Sequence, residues 1–282
     1  MRDYFITGGT GFALSQLVRL LTKLQDTQKI VCLTRGGRQN LFEHHKVEYF
    51  QGDITTVEFP NHTFTDVIHG AAEANDLLIP DQPKYYYDVV EGSRRLFQWV
   101  ERRRPERLLY VSSGAVQKGD TAYCRAKRLS EYLCPDYAKI ARIYSLIGPG
   151  LPINGQYALG RFIGSALYGG KVQYYESGSV RSYLHVNDCA KWLLNILDRG
   201  ARYIPYNVGS ARAITVTELA KMVARIAKVE AEEVKRNDYH VTAQIYLPVL
   251  GPSYGVGCAE TIKLEDAIEE IIQIYLGRGK ET

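Results

Sequence analysis

Two neighbouring stretches carry side chains that can move a proton. Tyr110-Val111-Ser112-Ser113-Gly114 is typical of a buried strand ending in two hydroxyls, and Tyr123 and Lys127 follow at a spacing of four. Residues four apart share one face of a helix. A lysine beside a tyrosine favours the phenolate and lowers the pKa of the phenol, which is about 10 for free tyrosine. With a serine hydroxyl, this pair can transfer a proton to or from an alcohol or carbonyl oxygen. The alternative is a packing tyrosine and a solvated lysine.

A glycine-rich turn near the start of the chain is a candidate dinucleotide site. Residues 2–7 are predicted to form a buried strand, and Thr7-Gly8-Gly9-Thr10-Gly11-Phe12 opens a helix that runs to about Leu24. Glycines let the backbone approach a pyrophosphate, and a helix N-terminus offers free N–H groups. The candidate cofactor residues here are Gly8, Thr10, Gly11 and Phe12; a plain turn is the alternative. The third glycine position of the motif holds Leu14, so we expect slightly looser helix–strand packing, which does not by itself imply a loss of binding.

The residues after the second predicted strand, 29–33, bear on the type of cofactor. NAD enzymes usually place Asp or Glu about twenty residues beyond the glycines, to bind the ribose 2′-hydroxyl. This chain has Thr34-Arg35 there, with Arg38 shortly after. No carboxylate would repel a 2′-phosphate, and Arg35 and Arg38 can bind one. The pattern predicts NADP(H) as the preferred cofactor, with NAD(H) possible; two surface arginines are the alternative.

The ends of two further strands complete the predicted cofactor site. Strand 47–50 is followed by Asp53-Ile54, where the carboxylate can accept from an adenine amino group or cap a helix. Strand 66–69 runs into Gly70-Ala71-Ala72-Glu73. The small residues Ala71 and Ala72 leave room for a cofactor at the carboxyl ends of parallel strands. His69 is interpreted as a buried core histidine.

Strands and helices alternate along the chain, with helices over 84–104 and 121–134. This order predicts an α/β fold with a parallel sheet that helices cover on both faces. The C-terminal part is too discontinuous for a separate binding module and is interpreted as a lobe that closes over one end of the cofactor.

Composition narrows the class of protein. Of 282 residues, 45% are hydrophobic and 23% charged, as in ordinary globular proteins. A net charge of +4 suits a polyanionic small ligand and does not indicate a nucleic-acid binder. The five cysteines form no C-x-x-C pair, which favours a reduced compartment without a metal site. No leader or membrane-spanning segment is recognisable, so we expect a cytoplasmic protein off the membrane.

Seven motifs, taken in order, resemble the extended short-chain dehydrogenase/reductases, and more narrowly their nucleotide-sugar epimerase/dehydratase/reductase group. They are Thr7-Gly8-Gly9-Thr10-Gly11-Phe12, Gly52-Asp53-Ile54, His69-Gly70-Ala71-Ala72, Ser112-Ser113-Gly114, Tyr123-x-x-x-Lys127, Arg181-Ser182-Tyr183-Leu184-His185-Val186 and Tyr206-Asn207-Val208-Gly209. The resemblance runs from residue 2 to the last helix.

The resemblance implies an enzyme with a Rossmann-type, doubly wound parallel sheet that binds NAD(P), a smaller C-terminal lobe for a nucleoside-diphosphate sugar, and a homodimer. The predicted NAD(P)-binding domain covers 1–146 and 183–208, and the substrate-binding lobe covers 147–182 and 209–282. By match to the family motifs, Ser113 would orient the sugar oxygen and Tyr123 would be the general acid/base. Lys127 would hold the nicotinamide ribose and keep the phenol acidic. Arg181 would contact the diphosphate, and Glu73 and Ser145 are further substrate-binding candidates.

Departures from the family pattern bear on the reaction. Sugar 4,6-dehydratases of the family carry an Asp-Glu pair just after the catalytic hydroxyl, where this chain has Gly114 and Ala115. Val89 and Ser145 stand where the family commonly has Asn. With the short loop Lys118-Gly119-Asp120, the leading hypothesis is an NADPH-dependent reductase of the 4-keto group of a nucleoside-diphosphate sugar. A 4-epimerase with tightly bound NAD is the alternative, and a non-catalytic NADP sensor is a third hypothesis.

Overall fold

The computed structural model describes residues 1–36, 42–72, 80–153, 157–235 and 243–277. Within them the strands are β1 Arg2–Thr7, β2 Thr27–Thr34, β3 Val47–Gln51, β4 Asp66–His69, β5 Arg107–Ser113, β6 Lys139–Ile143, β7 Leu146–Ile147, β8 Lys171–Tyr174, β9 Val180–Arg181, β10 Leu184–His185, β11 Pro205–Val208, β12 Ile214–Thr215 and β13 Glu230–Glu233. The helices are α1 Phe12–Thr22, α2 Gln82–Arg103, α3 Ala122–Leu133, α4 Ala158–Gly169, α5 Val186–Arg199, α6 Val216–Ala227, α7 Gly251–Gly255 and α8 Leu264–Tyr275.

The described residues divide into two compact units. Unit 1 comprises 1–143, 189–208 and 250–258, and unit 2 comprises 144–188, 209–249 and 259–282. The assignment of the cofactor to one part of the chain and the substrate to another stays a prediction.

A seven-stranded parallel sheet forms the centre of unit 1, in the order β11-β6-β5-β4-β1-β2-β3. Chain order reverses direction between β1 and β4, and open α/β sheets bind ligands in the crevice beyond the carboxyl ends of the strands at such a switch point. This sheet confirms the predicted α/β fold with a Rossmann-type, doubly wound parallel sheet. The motifs at the ends of β1 and β4 are therefore brought to one place.

The helix α2 covers one face of this sheet with apolar side chains. Leu96, Phe97 and Val100 lie on its buried face and join one core cluster with Phe5 of β1 and Tyr110 of β5. Each such side chain contributes about 1.5–3 kcal/mol of burial free energy. Asp81 caps the helix by accepting from the Lys84 N–H, and Arg104 ends it in the left-handed conformation.

Unit 2 contains the two-stranded pairs β10-β7, β12-β9 and β13-β8. The helix α6 begins with a capping box, in which Thr215 and Glu218 satisfy each other's backbone N–H groups. It packs with α4 and β8. No helix in the described part of the chain is long and apolar enough to cross a membrane.

Candidate functional site

The glycine turn after β1 lies directly against the end of β4. Gly8 has a φ of 79°, and a Cβ added there would lie 2.8 Å from the Gly70 carbonyl carbon and 2.9 Å from the Ala71 nitrogen. Only glycine fits so close an approach of two backbones in this conformation. The predicted cofactor residues Gly8 and Ala71 therefore meet at the switch point.

Leu14 takes the place of the third glycine of the motif and is buried. A Cβ built on Gly70 would lie 2.4 Å from Leu14 Cδ1. The bulk that Leu14 adds to the helix is therefore accommodated by a glycine at the end of β4.

The turn ends in a helix whose first N–H groups face outward along the axis. Gly11 is the N-cap of α1, and its N–H donates to the Gly8 oxygen at 2.9 Å. Among the described residues no side chain caps this helix, and its first turn holds no acidic residue. Phe12 is the first helical residue and is half-buried, as is Thr10 in the turn. These groups suit the pyrophosphate of a dinucleotide.

His69 joins this turn to α2 through a buried chain of hydrogen bonds. Ser93 Oγ donates to the Val89 oxygen at 2.8 Å, so it accepts from His69 Nε2–H at 3.0 Å. His69 Nδ1 then accepts from Thr7 Oγ1 at 2.7 Å, and Thr7 Oγ1 accepts from the Ala71 N–H at 3.2 Å. Burial, and then the charge of Lys127, hold the pKa of His69 well below its ordinary value. His69 is thus a core histidine, as predicted, in its neutral form.

We expect the neutrality of His69 to appear in the pH dependence of stability. The unfolded chain takes up a proton on His69 as pH falls through 6.5, whereas the folded chain does not. Its contribution is therefore present above pH 6.5 and is lost at about 1.4 kcal/mol per pH unit below it. Urea unfolding of the wild type and His69→Gln should give parallel free energies above pH 7 and converging ones toward pH 5. Curves that stay parallel to pH 5 would contradict the assignment.

The ends of β2 and β3 carry the residues predicted to bind the adenosine part. Asp53 Oδ1 accepts from the Thr55 N–H at 2.8 Å and from Thr55 Oγ1, so Asp53 caps its own turn. Its pKa is lowered by these hydrogen bonds first and also by the charge of Arg35, which is exposed at the end of β2. Ile54 packs against Gly92 of α2. Arg38 lies outside the described residues.

Ser113 ends β5 and is buried, with 8% of the residue exposed. Its Oγ accepts from the Ala115 N–H at 3.2 Å and thereby caps the 3-10 turn Gly114–Gln117. Among the described residues no acceptor takes its O–H. That hydrogen is available for an oxygen of a bound molecule.

Lys127 reaches from α3 to the strand that carries Ser113. Its Nζ donates to the Val111 oxygen at 2.8 Å, and burial lowers its pKa to about 8. Tyr123 lies one turn earlier on α3, and it and Ala72 both pack against a buried cluster that includes Val89 and Ala126. The helix therefore presents the predicted tyrosine and lysine at the carboxyl ends of β4 and β5.

Arg128 holds the short loop that connects Ser113 to α3. Its Nε and Nη2 donate to the Val116 oxygen at 3.2 and 3.1 Å, and Nη2 also donates to the Gly119 oxygen at 2.7 Å. Sequence analysis did not identify Arg128 as a functional residue. The only indication in the sequence is a second cation directly after Lys127, on a helix that follows a very short loop.

Removal of this arginine should lower turnover more than stability. In Arg128→Met the loop between Ser113 and Tyr123 is released, and misplacement by about 1 Å can cost about 100-fold in rate. We expect kcat to fall about 10- to 100-fold and the free energy of unfolding by about 1 kcal/mol, because the contacts are partly exposed. Arg125→Met, on the same helix with a 3.9 Å contact to Asp120, is the control. Equal effects of the two variants would argue against the loop's role.

The substrate candidates Ser145 and Arg181 lie in unit 2. The backbone oxygen of Ser145 accepts from the Leu184 N–H at 3.1 Å. Arg181 Nη1 donates to the Gln244 oxygen at 2.6 Å, and its guanidinium lies 5.9 Å from the Tyr246 ring centre. Both side chains are half-buried. Glu73 lies outside the described residues.

Comparison with known proteins identifies the family and the fold of this chain. The family model "NAD dependent epimerase/dehydratase family" matches residues 4–209. UDP-glucuronic acid decarboxylase 6 of Arabidopsis thaliana is 26% identical, over 80% of this chain and 75% of the relative. UDP-glucose 4-epimerase of Erwinia amylovora is 24% identical, over 77% of this chain and 80% of the relative. The crystal structure of a Thermotoga maritima UDP-glucose 4-epimerase with UDP-glucose superposes with a TM-score of 0.83 at 17% identity, covering 98% of this chain and 99% of that chain.

Proposed function

Because the chain belongs to the NAD dependent epimerase/dehydratase family, we propose that it oxidises or reduces a sugar carbon of a nucleoside-diphosphate sugar. The predicted membership of the extended short-chain dehydrogenase/reductases is confirmed, and with it the expectation of an NAD-dependent enzyme.

The residues at the switch point fit a dinucleotide. Gly8 and Gly11 would admit the pyrophosphate to the N-terminus of α1, where no side-chain cap competes in the described part of the chain. Ala71 and Ala72 would border it, and Asp53 and Ile54 would bind the adenine. The nicotinamide, when bound, supplies or accepts a hydride. Arg35, with Arg38, supports the proposed preference for NADP(H).

One observation carries the proposed chemistry: a single helix holds Tyr123 and docks Lys127 on the strand that ends at Ser113. Ser113 donates its free hydrogen to the sugar oxygen and orients it. Tyr123 gives a proton to that oxygen in reduction, or takes one in oxidation. The Lys127 ammonium favours the phenolate of Tyr123 and binds the nicotinamide ribose.

Net reduction of a 4-keto sugar is our leading reaction. Reduction of the ketone to a secondary alcohol needs a hydride at C4, which a bound NADPH would supply and be oxidised to NADP, and a proton at the oxygen, which Tyr123 would donate. Gly114 and Ala115 offer no acid and base for elimination of water, which argues against dehydration. The same two residues, Gly114 and Ala115, are equally compatible with a 4-epimerase that holds NAD tightly. A sensor without catalysis is less favoured, since it needs none of the three proton-handling side chains.

The substrate would bind through its diphosphate to Arg181, with Ser145 and Glu73 near the sugar. Unit 2, which contains Arg181 and Ser145, is proposed to bind it. We further propose a homodimer in the cytoplasm, without nucleic-acid or membrane partners.

Cofactor stoichiometry separates the two leading reactions. Purified protein is assayed for bound NAD and then followed at the NADPH absorbance with a panel of 4-keto sugar nucleotides. We expect stoichiometric NADPH oxidation and protein purified without cofactor. Bound NAD, with interconversion of UDP-sugars and no net NADPH loss, would establish the epimerase instead. NADP binding without turnover on the whole panel would favour the sensor.

A further inference from the structure

The buried amine of Lys127 forms no ion pair that would offset the loss of water around its charge, among the residues that the structure describes. Only 2% of the residue is exposed, and no carboxylate lies within ion-pair distance of Nζ in the described part of the chain. An ammonium that is removed from water without a counter-charge loses its proton readily. The charge therefore depends on what lies around Nζ.

The titratable groups that face Lys127 are neutral or engaged elsewhere. Glu131, one turn further along α3, favours the ammonium through its charge, but both its oxygens bind Arg142 through hydrogen bonds of 2.9 and 2.6 Å. Burial raises the pKa of the Cys134 thiol, and that of His69 on β4 is lowered. Tyr123 lies one turn before Lys127 on the same helix.

The ring of Tyr110 fills the remaining side. Lys127 Nζ lies 4.8 Å from the ring centre, within the range of a cation–π contact. The ring is fully buried and is fixed by Phe97, edge-on at 5.7 Å, and by His69 at 5.4 Å. The electron-rich face of an aromatic ring attracts a cation more strongly when both are desolvated.

We propose that Tyr110 is a positioning residue for Lys127, whose ring face, together with the Val111 oxygen, holds the buried amine protonated and aimed at the end of β5. This deepens the proposed function, since it assigns a residue that acts on Tyr123 through Lys127. The role is assigned to the ring and not to the hydroxyl, because it is the ring centre that lies 4.8 Å from Lys127 Nζ.

The hydroxyl and the ring are tested separately by Tyr110→Phe and Tyr110→Leu. Phenylalanine keeps the ring, whereas leucine removes it and leaves a cavity. Phe64→Leu, in the same core cluster, is the control for lost aromatic volume. The first readout is the titration of Lys127 by NMR of its Cε group in the holoprotein, with the signal assigned by its absence in Lys127→Met.

We expect the wild type, Tyr110→Phe and Phe64→Leu to titrate at about pH 8, and Tyr110→Leu about one pH unit lower. The alkaline limb of the kcat profile should move by the same amount in Tyr110→Leu alone. An unchanged Lys127 midpoint in Tyr110→Leu, or an equal shift in Phe64→Leu, overturns the proposal. A shifted midpoint with an unshifted rate profile supports the contact and overturns the catalytic role of Lys127.

Discussion

Tyr123→Phe should abolish most of the turnover and leave the protein folded. The phenol is the proposed proton donor, and loss of a general acid or base lowers rates about 10²- to 10⁴-fold. The half-buried ring stays packed against the cluster of Tyr85, Val89, Ala122 and Ala126, so we expect an unchanged melting temperature and a cofactor Kd within about threefold of the wild type. Single-turnover measurement of NADPH oxidation with a 4-keto sugar nucleotide gives the rate of the chemical step directly.

The control for this variant is Tyr132→Phe on the same helix. Tyr132 is 85% exposed and carries the same hydroxyl, so its loss should leave the rate unchanged. A Tyr123→Phe enzyme that retains the wild-type rate, beside an unaffected Tyr132→Phe, would remove Tyr123 from the mechanism.

Gly8→Ala should give the largest loss of cofactor affinity. The new Cβ would lie 2.8–2.9 Å from the backbone of Gly70 and Ala71, so the turn must move away from β4. If that displacement breaks two charge-assisted hydrogen bonds to the pyrophosphate, at about 1.5 kcal/mol each, affinity falls about 100-fold. Calorimetric titration with NADP and NAD measures this loss.

Gly170→Ala separates steric conflict from backbone strain. Gly170 has a φ of 67°, and an added Cβ would meet no atom within 4 Å. Both variants bear the cost of about 1–2 kcal/mol for a side chain in the left-handed conformation. Only Gly8→Ala should also lose cofactor affinity. If its Kd stayed at the wild-type value, the dinucleotide would have to bind elsewhere.

The local parts of the site could be predicted because their spacing is short. The strand, turn and helix around Gly8–Gly11, and the spacing of Tyr123 and Lys127, depend on residues within one or two turns of each other. The same is true of the Thr215 capping box. The alternation of strands and helices likewise determined the fold class, since parallel strands need crossover helices.

Contacts across elements could not be predicted in this way. That Tyr110 lies beneath Lys127 depends on how α3 docks against β5, and no sequence period records that docking. The alternatives for Asp53 also stayed open, because an aspartate that follows a strand has the same pattern whether it caps a turn or binds adenine. The structure shows the cap, which leaves its second oxygen for the proposed contact.

The exchange between Leu14 and Gly70 shows that a glycine of a nucleotide-binding fingerprint stands for a volume shared by two facing positions. Here the small partner has moved from the helix to the neighbouring strand end. A sequence search that requires glycine at position 14 would miss chains of this kind. A search that considers the combined side-chain volume at positions 14 and 70 would find them. Transplanting the usual glycine into this chain would accordingly require a larger residue at 70 to keep the interior filled.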